Sequence, residues 1–278
     1  MKPSNTNLRK TRLSPYEKQP HKLALYRQAV QSPWVAVNML TNMHASLNPG
    51  RWPTLLREDF AGSAALSVAW VLHDHDHHAL AIDNHGPTVR YARKQARIDL
   101  GDNLNRLTIH QTDVMDIVSP KSDVTASLNF SINIYHQRDE LIAYFLQARK
   151  NLKPGGILVC DTYGGPGAWK VGKQKRRIKP QQQGDAPAFD YIWQQKDVDP
   201  LTGLVDCRIH FKLNDGSLLE NAFVYHWRLW SLPELTDCLR EAGFSHIQVW
   251  AEDQQGQWGP CDRIGPVEAF LAYVVAQK

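Results

Sequence analysis

Three carboxylates, each closing a short apolar run, are the residues in this chain best placed to do chemistry. Glu58 (with Asp59) ends Leu55-Leu-Arg-Glu-Asp59, Asp83 ends Ala79-Leu-Ala-Ile-Asp83, and Asp113 follows Leu107-Thr-Ile-His-Gln111. A carboxylate accepts two hydroxyl hydrogen bonds at once, which suits a ribose diol. Asp83 lies 21 positions after Gly62, near the spacing at which the second strand of a nucleotide-binding βαβ unit presents such an acid. Taken singly, each acid also reads as a helix cap or a solvated turn residue. Their ordered recurrence at strand ends points to a bound nucleotide-like molecule.

The elements that must position them follow from periodicity. After Asp59, the small residues Ala61, Gly62, Ser63 and Ala64 form a tight turn before the apolar helix Ala65 to Leu72, so backbone N–H groups can approach a ligand. Val89, Ala92, Ala96 and Leu100 recur at helical spacing over 85–100. Arg138 to Leu152 reads as a helix, and Lys153-Pro-Gly-Gly156 as its stop. This alternation predicts an α/β fold with a parallel sheet.

Together these motifs resemble the class I S-adenosylmethionine-dependent methyltransferases over most of 55–161 and the C-terminal strands, in particular a bacterial subgroup with the loop Glu-Asp-Phe-Ala-Gly-Ser-Ala. The resemblance implies a Rossmann-like seven-stranded sheet with an antiparallel last strand and helices on both faces, with Asp123 to Ser131 as the fourth strand and the run from Lys153-Pro-Gly-Gly156 to Asp161 leading into the fifth. It implies that S-adenosyl-L-methionine binds at Glu58, Phe60, Ala61, Gly62, Ser63, Asp83, Asn84, Asp113, Val114, Asn129 and Phe130. Glu58 corresponds to the acid at the methionine end, Asp83 to the ribose acid, and Asp113-Val114 to the adenine-side pair. The loop departs from the usual three alternating glycines, with Phe60 and Ala64 at the outer two positions. That bulk argues against a nicotinamide dinucleotide, whose pyrophosphate needs close backbone approach.

A transferable methyl group requires a nucleophile held in line behind it and water excluded. The acceptor is expected beyond the fourth strand, where Asn129 would orient a donor group and Tyr135 or His136 would take a proton. For His136 a surface position at the start of the next helix is an equal reading. The fourth strand carries no Asp-Pro-Pro-Tyr or Asn-Pro-Pro-Tyr, the mark of many enzymes of this superfamily acting on planar nitrogens, which favours a small-molecule acceptor of N or O type. An RNA or protein methyltransferase and a non-catalytic cofactor-binding protein are the alternatives.

Outside the core, residues 1–20 read as a flexible basic tail, and 21–163 as N-terminal helices followed by the cofactor-binding core. Such helices close over the cofactor in this family, making Tyr16 and Tyr26 candidate lid and substrate residues beside packing aromatics. Residues 164–230 read as an inserted antiparallel β-meander of three strands covering the substrate, with Tyr163, Arg228 and Trp230 as further substrate candidates. Residues 231–278 supply a helix N-capped by Ser231 and stopped at Gly243, then the last two core strands. The basic run Lys170, Lys173, Lys175, Arg176, Arg177 and Lys179 is expected to be a mobile charged lid, with nucleic acid contact not favoured. His73-Asp-His-Asp-His-His78 is expected to be a solvated loop, and no metal site is expected.

Composition fits this reading. A chain of 278 residues accommodates one domain with an elaborated insertion, nine Trp and eight Phe supply large buried surfaces, and a net charge of +4 demands no anionic partner. Four dispersed cysteines predict free thiols, and the polar start and lack of a membrane-length apolar run predict a cytoplasmic protein.

Overall fold

A computed structural model describes residues 21–181 and 184–278; the expected tail and Tyr16 lie outside them. Strands β1 (Leu55–Asp59), β2 (His78–Asp83), β3 (Leu107–Gln111), β4 (Ser122–Ser127) and β5 (Leu152–Gly164) run parallel. The chain finishes with β10 (His246–Glu252), β11 (Trp258–Pro260) and β12 (Phe270–Gln277), and β12 is antiparallel to both β5 and β10. The order is β11-β10-β12-β5-β4-β1-β2-β3. The expected seven strands are thus present, and the short β11 adds an eighth at the edge. The sequence turns outward in both directions from β1, so a crevice opens at the C-terminal ends of β1 and β4.

Burial on both faces explains the near-continuous apolar reading of these strands: Ile157, Leu158, Val159 and Cys160 are all 0% exposed. One face packs on α2 (Pro33–Leu47), α3 (Ala65–His73) and α4 (Gly86–Leu100) through Leu40, Met43, Trp70 and Ala92. The other packs on α5 (Arg138–Asn151) and α6 (Leu232–Glu241) through Tyr144, Phe145, Leu235 and Leu239. Capping boxes start both helices, Gln137 with Glu140 and Ser231 with Glu234. Gly243, at φ +86°, ends α6 as expected.

Between β5 and α6 lies a second antiparallel sheet, ordered β6 (Gly172–Ile178), β7 (Phe189–Asp199), β8 (Leu204–Lys212) and β9 (Leu218–Arg228). Helix α1 (Lys22–Val30) packs Leu25 and Ala29 onto its apolar face, against Phe189, Ile209 and Phe211. The basic run, expected as a mobile lid, takes regular structure: Lys173, Lys175, Arg176 and Arg177 lie on the edge strand β6, and Lys170 and Lys179 flank it. Its exposed cations read as a loop, yet Lys175 and Arg177 pair across the ladder with Asp190, and Arg176 lies 5.0 Å over the Tyr191 ring.

The His-rich loop needs a smaller correction. Asp74, His75 and Asp76 are exposed, but His77 is buried, stacked 4.4 Å from Trp70 with its Nδ1 2.9 Å from the Trp70 carbonyl. All four cysteines are free, and only Cys261 is not buried. Among the described residues, no helix is long and apolar enough to cross a membrane.

Candidate active site

The loop after β1 keeps a glycine-type backbone with a glycine at only one of three left-handed positions. Phe60, Gly62 and Ala64 have φ of +56°, +55° and +56°. For a residue with a Cβ, each left-handed φ costs about 1–2 kcal/mol, so the surrounding structure must enforce it. The enforcing contacts are visible. Ala61 N donates to the Ile82 carbonyl (2.9 Å), Gly62 N to Asp83 Oδ2 (2.9 Å) and Ala64 N to the Ala61 carbonyl (2.8 Å). Ser63 Oγ donates to Gln31 Oε1, tying the loop to the end of α1. The Phe60 ring packs 5.6 Å from Tyr144 and 6.3 Å from Tyr135. A Cβ added at Gly62 would meet nothing within 4 Å, so open space lies above the turn.

Glu58 is buried, and its Oε2 accepts from Ser67 N (2.9 Å) and Ser67 Oγ (2.5 Å), capping the first turn of α3. Burial pushes its carboxyl up to about 7, against the opposing pull of the Ser67 hydrogen bonds. The native state therefore holds a proton that the unfolded chain releases near 4.5. The stabilisation is complete below that value and is lost as pH rises through about 7. Glu58→Gln is expected to flatten the pH dependence of urea denaturation between these limits by about 3 kcal/mol. An unchanged slope would show that Glu58 is ionised in the folded protein.

Asp83 accepts from Gly62 N through one oxygen and from His85 N (2.9 Å) through the other, which leaves a lone-pair site on each for a diol. Asn84 beside it is exposed. At the end of β3, Asp113 is exposed and accepts from Met115 N, while Val114 is buried. Beneath them lies a network that sequence reasoning missed. Arg57, 1% exposed, donates to Asp59 (2.7 Å) and to the Val114 and Ile117 carbonyls (both 2.7 Å), and the Tyr144 hydroxyl donates to Asp59 (3.0 Å).

Beyond β4, Asn129 and Phe130 both have φ of +60°. Their N–H groups donate to the two oxygens of Asp161, at 2.9 and 2.7 Å. Both residues border a cavity of about 640 Å³ between the core and the second sheet, which Tyr26 and Tyr163 also line. Its walls are rich in rings, among them Tyr191, Trp193, Tyr225, Trp227 and Tyr273. Their alternation along β7 and β9 was the signal available in the sequence for this aromatic face.

Other expected site residues take different places. Trp230 is 2% exposed and donates to the Tyr135 carbonyl (3.1 Å). Arg228 lies 3.8 Å over its ring and bonds the His136 carbonyl and Glu234. Both border a separate cavity of about 440 Å³ and do not line the aromatic one. His136 is held by its Nε2, 2.8 Å from the His226 carbonyl, so that nitrogen must donate. Tyr135 stacks on Tyr144, and burial raises its phenol well above the ordinary range, keeping it protonated at neutral pH. Neither Tyr135 nor His136 lines the aromatic cavity, and on His136 the nitrogen left to accept a proton is Nδ1.

No protein-family model matches the chain, and no curated protein matches it by sequence. Solved structures do. DesVI from Streptomyces venezuelae superposes with a TM-score of 0.67 at 15% identity, over 91% of this chain and 94% of that one. CalS10, an amino pentose methyltransferase from Micromonospora echinaspora bound to S-adenosylmethionine, gives 0.65 at 14% identity over 99% of both chains. The sugar N-methyltransferase KedS8 from Streptoalloteichus gives 0.64 at 16% identity, over 100% of this chain and 98% of that one. Likeness at this level of identity is likeness of fold, and the chain has the fold of the class I S-adenosylmethionine-dependent methyltransferases.

Proposed function

We propose that this protein is an enzyme that transfers the methyl group of S-adenosyl-L-methionine to nitrogen or oxygen of a small-molecule acceptor. The observation that carries this reading is the left-handed loop beside Asp83, with a ring-lined cavity of about 640 Å³ at the end of β4. The residues fit the cofactor: space above Gly62, open lone pairs on Asp83 and an exposed Asp113 supply a cradle, a diol acceptor and an adenine-side polar group. Glu58, Phe60, Ala61, Ser63, Asn84, Val114, Asn129 and Phe130 complete the set that would hold it. When bound, its sulfonium supplies an electrophilic methyl group. The protein's part is to orient the acceptor and exclude water, a task suited to the aromatic walls.

Cavity size and the sugar-directed activities of CalS10 and KedS8 support a small acceptor. An RNA acceptor is not favoured, because Lys170 pairs with Glu268 and two cations of β6 pair with Asp190. Calorimetric titration should show binding of S-adenosylhomocysteine and none of NADH. With methyl-labelled S-adenosylmethionine and fractionated cell extract, label should enter the low-molecular-mass fraction. Labelling of RNA or protein would replace the small acceptor, and binding without any transfer would make this a non-catalytic cofactor-binding protein.

A further inference from the structure

Asp161 is a buried carboxylate with hydrogen-bonding capacity to spare. It is 5% exposed, lines the aromatic cavity, and lies on β5 beside the loop that follows β4. Its oxygens accept the Asn129 and Phe130 N–H groups, one each, which fixes the carboxylate plane. Each oxygen retains a further lone-pair site. Among the described residues, no Lys, Arg or His forms an ion pair with it; the hydrogen bonds it receives come from backbone.

What faces it is aromatic. Tyr26 from α1 and Tyr273 from β12 both feel its charge, and Tyr163 and Trp227 line the same space. The other charged groups of the cavity are Lys170, Lys173, Arg176 and Glu268, all exposed. Lys170 pairs with Glu268, and Arg176 donates to the Ala29 carbonyl. A buried, unpaired anion among π faces is complementary to a cationic or N–H donor group. A carboxylate or phenolate nucleophile placed there would meet a like charge and the negative faces of the rings.

We infer that the acceptor is an amine whose nitrogen hydrogen-bonds to Asp161, and that Asp161 is the proton acceptor of the reaction. The inference rests on the methyl-transfer reading above. The amine enters as an ammonium and gives one N–H proton to the carboxylate, which frees the nitrogen lone pair. That pair forms the N–C bond as the C–S bond of the sulfonium breaks, and the C–S electron pair stays on sulfur. The positive charge then rests on the methylated nitrogen, and Asp161 releases its proton to solvent. Burial pushes the Asp161 carboxyl up to about 7, which makes it a stronger base than an ordinary carboxylate.

Phenethylamine, 2-phenylethanol and phenylacetate share a ring and differ in the group offered to Asp161. Each would be titrated by calorimetry into the full-length protein saturated with S-adenosylhomocysteine. Phenethylamine should bind about tenfold or more tighter than the alcohol, with phenylacetate weakest. Asp161→Asn should erase that preference. The wild-type ranking stands as a test even if the variant fails to fold. If S-adenosylhomocysteine binds and no amine preference appears, the amine assignment is overturned and the methyl-transfer reading survives. If S-adenosylhomocysteine does not bind, both fall.

Discussion

Asp83→Ala is expected to raise the dissociation constant for S-adenosylhomocysteine by about 100-fold. The substitution removes two open acceptor sites for a diol, and hydrogen bonds to a charged partner contribute about 1.5–3 kcal/mol each. It also frees Gly62 N, which helps hold the loop after β1, and His85 N at the start of α4. A loss of about 3 kcal/mol is the smaller end of that combined effect and corresponds to the stated factor. Asp83→Asn should fall between, because its amide retains one acceptor oxygen. Folding is expected to suffer little, since Asp83 is only partly buried and the freed N–H groups lie near solvent. Calorimetry decides the matter together with a thermal melt. A change of tenfold or less in a protein that melts normally would remove Asp83 from the binding site.

Arg57→Ala carries the largest expected cost to stability, about 3–5 kcal/mol by urea denaturation. The guanidinium is enclosed between β1 and the segment after β3, holding one carboxylate and two carbonyls. Burial raises the Asp59 carboxyl from its ordinary value, while Arg57 and the Tyr144 hydroxyl pull it back. Without Arg57, that acid is left buried with one neutral donor, and the Val114 carbonyl loses its guanidinium partner, while the Ile117 carbonyl keeps Asn151 Nδ2 (2.9 Å). The double substitution Arg57→Met, Asp59→Leu should recover most of the loss, because it removes both charges and retains volume. A single-variant cost under about 1 kcal/mol would mean that water reaches Asp59 and replaces the guanidinium.

The parts of the site legible in the sequence are those encoded locally. The turn 61–64 and the acids Asp83 and Asp113 each sit at a strand end that periodicity marks, so their place in the crevice follows from the alternation of elements. What was not legible depends on contacts between distant segments. Asp161 reads as the end of a strand until the loop after β4 folds onto it. Arg57 looks like a polar interruption in β1, and its two carbonyl partners lie in a segment without regular structure. Strand β6 was hidden for another reason: its cations show no alternation of apolar and polar residues, and only the β7 ladder and Asp190 make it a strand. The substrate candidates Arg228 and Trp230 were read as a wall because an aromatic and a cation adjoin there. The structure uses that pair to join β9 to the segment before α5.

On the proposed cofactor-binding reading, the ring of Phe60, wedged against Tyr135 and Tyr144 with its backbone in the left-handed region, would set the thermodynamic character of ligand capture. A loop of three glycines samples many conformations when empty, and its ligand must bear the entropy of ordering it. Here that entropy is lost when the chain folds, under the packing of an aromatic side chain that a glycine lacks. Association should accordingly resemble a rigid lock, with a small change in loop order and an affinity that depends on the integrity of α5 some 80 residues away in sequence, as the contact of Tyr144 with Asp59 spans 85.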